Sequence, residues 1–277
     1  MAKAKAPTSP KNPAWVVTVG AMKGGSGKTM AVVNLAGCLS ENNKVLVIDA
    51  DPQANASVGL GIDIADPNMV SLTHVLLDPS TPPEDAVVRA PIPDLPNLDV
   101  LPSSINLFKT EFSLAAKSER VRLISYYLQE NQDFFSRYDY IIIDTNPGLG
   151  LVNQNAFFAA DSIVLMTDVS NNGLTGIEIF QFLWGEELCD ELRIPDVTKA
   201  LIVCNYDKRI KLAPELLDFI MSREDMEPYL VRTVIPYRVA YKDTEVDSRP
   251  INVEHPHSAE HEIINAVIKD LKKKGAI

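Results

Sequence analysis

Short apolar runs recur along the chain, separated by stretches whose apolar positions fall at helical spacing. Trp15-Val16-Val17-Thr18-Val19 opens a predicted strand over 15–20, and residues 28–41 place Val32, Val33, Leu35, Ala36 and Leu39 on one side of a predicted helix. Val45 to Ile48 reads as a second strand that ends in Asp49-Ala50-Asp51-Pro52. Residues 62–100, rich in Pro and Asp, read as a long decorated connection with one helical stretch near 71–77. Leu98 to Leu101 is a short strand followed by Pro102-Ser103-Ser104, and 105–136 is largely helical. Tyr140 to Ile143, Ser162 to Met166 and Ala200 to Cys204 are continuously apolar, as strands buried on both faces of a parallel sheet are. Helices near 173–191 and 212–221 follow the last two patterns, Thr233-Val234-Ile235-Pro236 is a predicted last strand, and 258–273 is the final helix. This alternation predicts an α/β fold: a doubly wound, mostly parallel sheet with helices on both faces.

A chain of 277 residues with 46% apolar composition can bury one large α/β core or two small ones. We expect one domain over 14–277, preceded by a disordered arm over 1–13 that carries Lys3, Lys5 and Lys11. The net charge of −11 is not that of a general nucleic-acid binder, so any DNA contact has to come from a local or assembled patch. Cys38, Cys189 and Cys204 are too scattered for a disulfide framework or a zinc site and read as small buried hydrophobes in a reduced, cytoplasmic setting. No apolar run reaches the roughly 18 residues of a membrane-spanning helix.

Candidate chemistry concentrates at Lys23-Gly24-Gly25-Ser26-Gly27-Lys28-Thr29, between the first strand and the first helix. A Gly-rich turn there aims backbone N–H groups at a phosphate chain, and the helix N-terminus adds positive potential. Lys28 and Thr29 form the Lys-Thr end of a phosphate loop; Lys23 is a second lysine at its front, which suggests that a charge is needed elsewhere, on another subunit. Ligands of open parallel sheets bind at the carboxyl ends of strands. Asp49 and Asp51 end the second strand and Asp144 ends the strand over 140–143, which suits a Mg²⁺ site beside the loop: Thr29 would ligate the ion through its hydroxyl and Asp144 would orient a metal-bound water. Loop and carboxylates together point to a nucleoside triphosphatase.

On these residues the chain resembles the ParA/MinD family of ATPases. The loop Lys23–Thr29 is similar to the family's deviant Walker A motif, Asp49-Ala50-Asp51-Pro52-Gln53-Ala54-Asn55-Ala56-Ser57 to the second motif of its ParA branch, and Tyr138 to Asp144 to its Walker B strand. Leu101-Pro102-Ser103-Ser104, Tyr206-Asp207-Lys208-Arg209 and Val234-Ile235-Pro236 follow in ParA-like order, so the resemblance runs from about residue 15 to about 251. It implies a P-loop NTPase fold of the deviant Walker A type, with ATP and Mg²⁺ as cofactors. It implies hydrolysis of ATP to ADP and phosphate, slow unless stimulated, by a homodimer that sandwiches ATP. Lys23 would reach the partner subunit's phosphates, much as an arginine finger acts. Lys28 would hold the β/γ-phosphates, Asp51 would orient the attacking water and Asp49 would support the metal shell. ATP contacts would extend over Gly24, Gly25, Ser26, Gly27, Thr29 and Met30, with Asn205 and Pro236 near the base. Implied partners are non-specific DNA and a ParB-like or cargo-adaptor protein that stimulates hydrolysis, in a cytoplasmic, nucleoid-associated setting.

The chain departs from the family's pattern in three places. Met30 stands where a second hydroxyl residue is usual, and Asn146-Pro147-Gly148 replaces a double proline. After Pro236 the usually basic positions are Tyr237 and Ala240, so a DNA-binding stripe would be assembled from Lys208, Arg209, Lys211, Arg238 and Lys242. Two other readings share the loop. A MinD-like membrane ATPase would use Ile263, Ile264, Val267, Ile268, Leu271 and Lys272-Lys273-Lys274 as an amphipathic anchor, although a membrane is not the expected partner. A metabolic ATP-dependent enzyme on the same fold would turn over a small molecule without stimulation.

Overall fold

The computed structural model describes residues 14–117 and 119–277, apart from the Glu245 side chain; the expected arm over 1–13 lies outside the described residues. Seven strands form one sheet: β1 (Trp15–Gly20), β2 (Val45–Ala50), β3 (Val88–Arg89), β4 (Leu98–Leu101), β5 (Tyr140–Thr145), β6 (Ser162–Asp168) and β7 (Thr198–Cys204). Their order across the sheet is β3-β4-β2-β5-β1-β6-β7. Every pairing is parallel except the short edge strand β3, which runs antiparallel to β4. The continuously apolar sequences follow from this: successive residues point to opposite faces, and both faces are covered. Val17, Val45, Val47 and Ile142 pack on one side against helix α1 (Lys28–Ser40) and the C-terminal helix Ala259–Lys273. Val16, Leu46, Ile48, Ile141 and Ile143 pack on the other, against Leu107, Ile124, Phe135 and Val152. A third cluster joins β6 and β7 to Phe157, Phe180, Trp184 and Ile220.

The doubly wound, mostly parallel sheet is the fold the sequence pattern predicts. Its details differ in four places. Strands β2 and β5 run on through Asp49 and Asp144, so these carboxylates are the penultimate residues of their strands rather than residues beyond them. The helical stretch over 105–136 is three helices, Leu107–Leu114, Leu123–Glu130 and Gln132–Phe135. The helix after β6 passes from α-helical (Asn171–Phe180) to π-helical hydrogen bonding over Gln181–Leu188. The segment 233–236 is not a strand: it covers the outer edge of β7 through an Ile235 N–H to Val203 C=O bond of 2.9 Å and an isolated bridge between Tyr206 and Pro236. Pro236 has no N–H to extend a ladder.

Short helices α2 (Asn55–Gly59) and α3 (Leu72–Leu77) follow β2. The C-terminal helix starts at Ser258, whose hydroxyl accepts the His261 N–H at 3.1 Å, and buries Ile264, Val267, Ile268 and Leu271. Its apolar side is spent on the core, which removes the face that a membrane anchor would need.

Helix α1 is approached closely by the segment that precedes the C-terminal helix. Ile251 N–H donates to Asn34 Oδ1 at 2.7 Å, and Asn252 Nδ2 donates to the Gly37 carbonyl at 3.1 Å. A side chain at Gly37 would meet Pro250 Cβ and lie 2.6 Å from Asn252 Oδ1. Gly37→Ala is therefore expected to destabilise the fold by about 1–3 kcal/mol through overpacking. Urea denaturation checks this, and an unchanged midpoint would contradict the close approach.

Candidate nucleotide and metal site

The carboxyl ends of β1, β2 and β5 meet at one point. In the parallel register Val19 pairs with Asp144 and Asp144 with Asp49, so the first strand delivers its loop directly above two buried carboxylates. The loop turns through Gly25 and Gly27, whose φ angles of 74° and 76° favour glycine. A Cβ on Gly27 would also lie 2.8 Å from Cys204 Sγ. Two groups at the end of β7 hold the loop from beneath: the Cys204 thiol donates to the Ser26 carbonyl, and Asn205 Nδ2 donates to the Gly25 carbonyl at 2.9 Å. Burial pushes the Cys204 thiol up to about 12, so it stays a neutral donor.

Lys28, the first residue of α1, is buried beneath the loop. Burial lowers its pKa, while the nearby carboxylates of Asp144 and Asp51 pull it back up. Beside it, Thr29 Oγ1 donates to Asp144 Oδ2 at 2.8 Å. The other oxygen, Asp144 Oδ1, is buried with no hydrogen-bond partner among the described residues, as is Ser26 Oγ. An orphaned carboxylate oxygen next to a hydroxyl fits a hard cation that takes oxygen ligands and keeps several waters. Among the described residues no group of three or more His, Cys, Asp and Glu side chains is arranged to hold a metal by itself. A cation here would need oxygens from a phosphate ligand as well.

Asp49 and Asp51 do different work. Asp49 Oδ1 accepts the Asp51 N–H at 3.0 Å, and Oδ2 accepts the Ser57 N–H and hydroxyl at 2.8 and 2.7 Å. The sequence leads us to expect Asp49 to support a metal shell; in the structure its oxygens hold the start of α2 and the Asp51 loop in place. Asp51 accepts the Gln53 N–H at 2.9 Å, and its carbonyl accepts the Ser103 hydroxyl at 2.6 Å. It lines a cavity of about 370 Å³ together with Gly25 to Met30, Asn55, Pro147 and Thr244. Asn55 lies within the Asp49–Ser57 stretch that carries the family resemblance, which does not itself single it out. Thr244 carried no local signal; it comes from the helix Val239–Val246 through tertiary packing.

Gly24 and Lys23 form the front of the loop. Lys23 Nζ lies 2.5 Å from Asp168 Oδ2 and 3.1 Å from Ser170 Oγ, so it is bound to the end of its own β6. Neither Asp168 nor Ser170 was marked by sequence. Asn205 and Pro236, expected near a base, are not among the residues lining the cavity, whereas Met30 is. The Asn205 amide is committed to Gly25 and Pro236 to its bridge with Tyr206. The five basic residues of the expected stripe are all exposed. Arg209 forks onto Asp207 at 2.7–3.0 Å, Arg238 Nε lies 3.3 Å from Glu260, and Lys242 Nζ sits 5.3 Å from the Tyr237 ring centre. Only Lys208 and Lys211 have no such partner among the described residues.

A parallel sheet with a glycine-rich loop, a buried lysine and a Thr–Asp pair at its carboxyl edge defines a P-loop nucleoside triphosphatase fold. The AAA domain family matches residues 14–184. Over 263 residues the chain is 31% identical to the sporulation initiation inhibitor protein Soj of Bacillus subtilis, covering 94% of this chain and 99% of Soj. Among solved structures it is similar to the Cyanothece McdA–ATP complex (TM-score 0.79, 20% identity, 95% of this chain and 98% of McdA). It is also similar to the septum site-determining protein MinD of Pyrococcus horikoshii with Mg-ADP (TM-score 0.70, 21% identity, 95% and 97%). The chain belongs to the ParA/MinD family of partition-type ATPases.

Burial raises the pKa of both Asp144 and Asp49; the mutual proximity of the pair adds to the rise at Asp144, and Lys28 opposes it there. The folded, ligand-free protein therefore keeps protons that the unfolded chain releases in the ordinary carboxylate range. With more protons bound in the folded state, stability falls as pH rises from that range toward neutrality. Asp144→Asn removes one such group and is expected to flatten the fall, which urea midpoints measured from pH 5 to 8 would show. Parallel curves for variant and wild type would contradict it.

Proposed function

We propose that the chain is a slow ATPase that works as a nucleotide-dependent positioning switch, with residues 14–277 acting as one ATPase domain. The observation that carries this reading is the Thr29–Asp144 pair with its unpartnered oxygen, set beside buried Lys28 under the glycine loop. The loop N–H groups from Gly24 to Thr29 and the Lys28 ammonium bind the β- and γ-phosphates of ATP. Thr29 and Asp144 hold Mg²⁺, which neutralises charge on the phosphates when bound. Asp51, held by Asp49 through its backbone and by Ser103 at its carbonyl, orients the attacking water. That McdA is solved with ATP and MinD with Mg-ADP supports these ligands for a chain of the same fold.

Lys23 is the trans-acting charge. In the ATP-bound homodimer it leaves Asp168 and Ser170 for the partner subunit's phosphates, so that the site is complete only when two chains meet. Catalysis is then slow until a ParB-like or cargo-adaptor protein stabilises the complete arrangement. The ATP dimer binds non-specific DNA of the nucleoid, where the protein resides, through Lys208, Arg209, Lys211, Arg238 and Lys242. With Arg209 and Arg238 already paired, the attraction is weak per subunit and rests on two copies acting together.

Co-sedimentation with DNA tests this reading. Wild type is expected to bind DNA with ATP and not with ADP, and binding should collapse with added salt, because the gain from releasing counterions shrinks as salt rises. Lys23→Ala should lose binding, while Asp51→Ala should keep it without turnover. DNA binding that ignores the nucleotide would contradict the proposal.

A further inference from the structure

At the amino ends of β2, β4 and β5 lies a second concavity, of about 410 Å³. Strands of this length are roughly 20 Å long, so it opens on the opposite edge of the sheet from the phosphate loop. Three cations line it: Lys44, Arg89 and Arg137. Within an acidic chain, none of the three makes an ion pair among the described residues, in contrast to Arg209 and Arg238. The two arginine side chains are nevertheless held in place, and Lys44 is fixed at its backbone. Lys44 is clamped at its backbone, donating its N–H to Asp139 Oδ2 and accepting the Asp139 N–H, both at 2.8 Å. Arg137 lies with its guanidinium carbon 4.0 Å from the centre of the buried Phe134 ring and donates Nε–H to the Phe134 carbonyl at 2.8 Å. Arg89 stands 5.6 Å from the same ring centre. Stacking on an aromatic face leaves the outer N–H groups of both guanidinium forks unspent.

The lining also holds two carboxylates, and they are not equivalent. Asp99 is occupied: Oδ2 accepts the Tyr138 hydroxyl at 2.7 Å and Oδ1 accepts the Ala90 N–H at 3.0 Å. Asp133 sits exposed at the rim. Three cations against two carboxylates, one of them already holding Tyr138 and Ala90, leave a surplus of one positive charge in the recess. A phosphate group presents more oxygens and more charge to three such donors than a carboxylate does. The volume corresponds to about a dozen waters at their share of liquid volume, which suits a compact ligand and not a duplex lying on a ridge.

We propose that this recess binds a compact phosphate-bearing anion, of a size between pyrophosphate and a mononucleotide, through Lys44, Arg89 and Arg137. The test is calorimetric titration of the full chain with pyrophosphate and, separately, with AMP. The Lys28→Ala background silences the phosphate loop. Binding of either probe is expected to persist in Lys28→Ala. It should weaken at least tenfold in Lys28→Ala/Arg89→Ala/Arg137→Ala and tighten when Asp133→Asn removes the rim charge. A site for pyrophosphate alone would identify free polyphosphate as the source, and one that takes AMP would identify nucleotides; either supports the recess. Complete loss of binding in Lys28→Ala, indifference to the arginine changes, or binding of a DNA duplex but of neither small probe would each overturn it. Arg89 is exposed on the edge strand β3 and Arg137 lies in the turn before β5, outside any helix or strand, so circular dichroism of the triple variant should match that of Lys28→Ala.

Discussion

Everything at the carboxyl edge of the sheet depends on keeping ionisable groups close together out of water. The pairing of β2 with β5 sets Asp49 beside Asp144, both buried, and α1 inserts Lys28 against them. Unpaired, each of these groups would carry a large desolvation cost. Here the cost is offset locally: Asp49 by three donors, Asp144 by Thr29 and the nearby Lys28 charge. What is left over is one carboxylate oxygen, one serine hydroxyl and a lysine, all facing the underside of a loop of N–H groups. That remainder is a demand for a phosphate and a cation, and it gives the site its selectivity for an anionic ligand within an acidic protein.

The loops around this remainder are cross-braced by elements far apart in sequence. Ser103 ties the end of β4 to Asp51, Cys204 and Asn205 tie the end of β7 to the phosphate loop, and Asp168 with Ser170 ties the end of β6 to Lys23. Glu111 reaches the Leu151 N–H at 2.6 Å, fixing the start of the helix that follows Asn146-Pro147-Gly148. The ends of β4, β6 and β7 therefore all brace the loops of the site.

The fold was legible because buried parallel strands are apolar throughout: Tyr140 to Ile143 cannot be mistaken for a half-exposed strand, and the phosphate loop sits where strand gives way to helix. The loop residues and the Asp144–Thr29 relation were legible for the same reason, since strand ends converge on one edge. Other features depend on contacts that no local pattern records. Asp49 reads in the sequence as a carboxylate that supports a metal shell, and no local pattern shows that Ser57, eight residues on, donates to it. Val234-Ile235-Pro236 has strand composition but meets β7 through scattered bonds, because the proline ends the ladder. Thr244, Asp168 and Ser170 reach the site only through packing, and the ion pairs of Arg209 and Arg238 depend on where Asp207 and Glu260 fall in space.

The account rests on the claim that Thr29 and Asp144 hold a cation that a nucleotide completes. Binding of a fluorescent ATP analogue, titrated with and without Mg²⁺ in wild type and Asp144→Asn, tests it most directly. Wild type should bind more tightly when Mg²⁺ is present, and Asp144→Asn should lose that enhancement while keeping Mg²⁺-independent binding through Lys28 and the loop. An enhancement of equal size in both proteins would contradict the account.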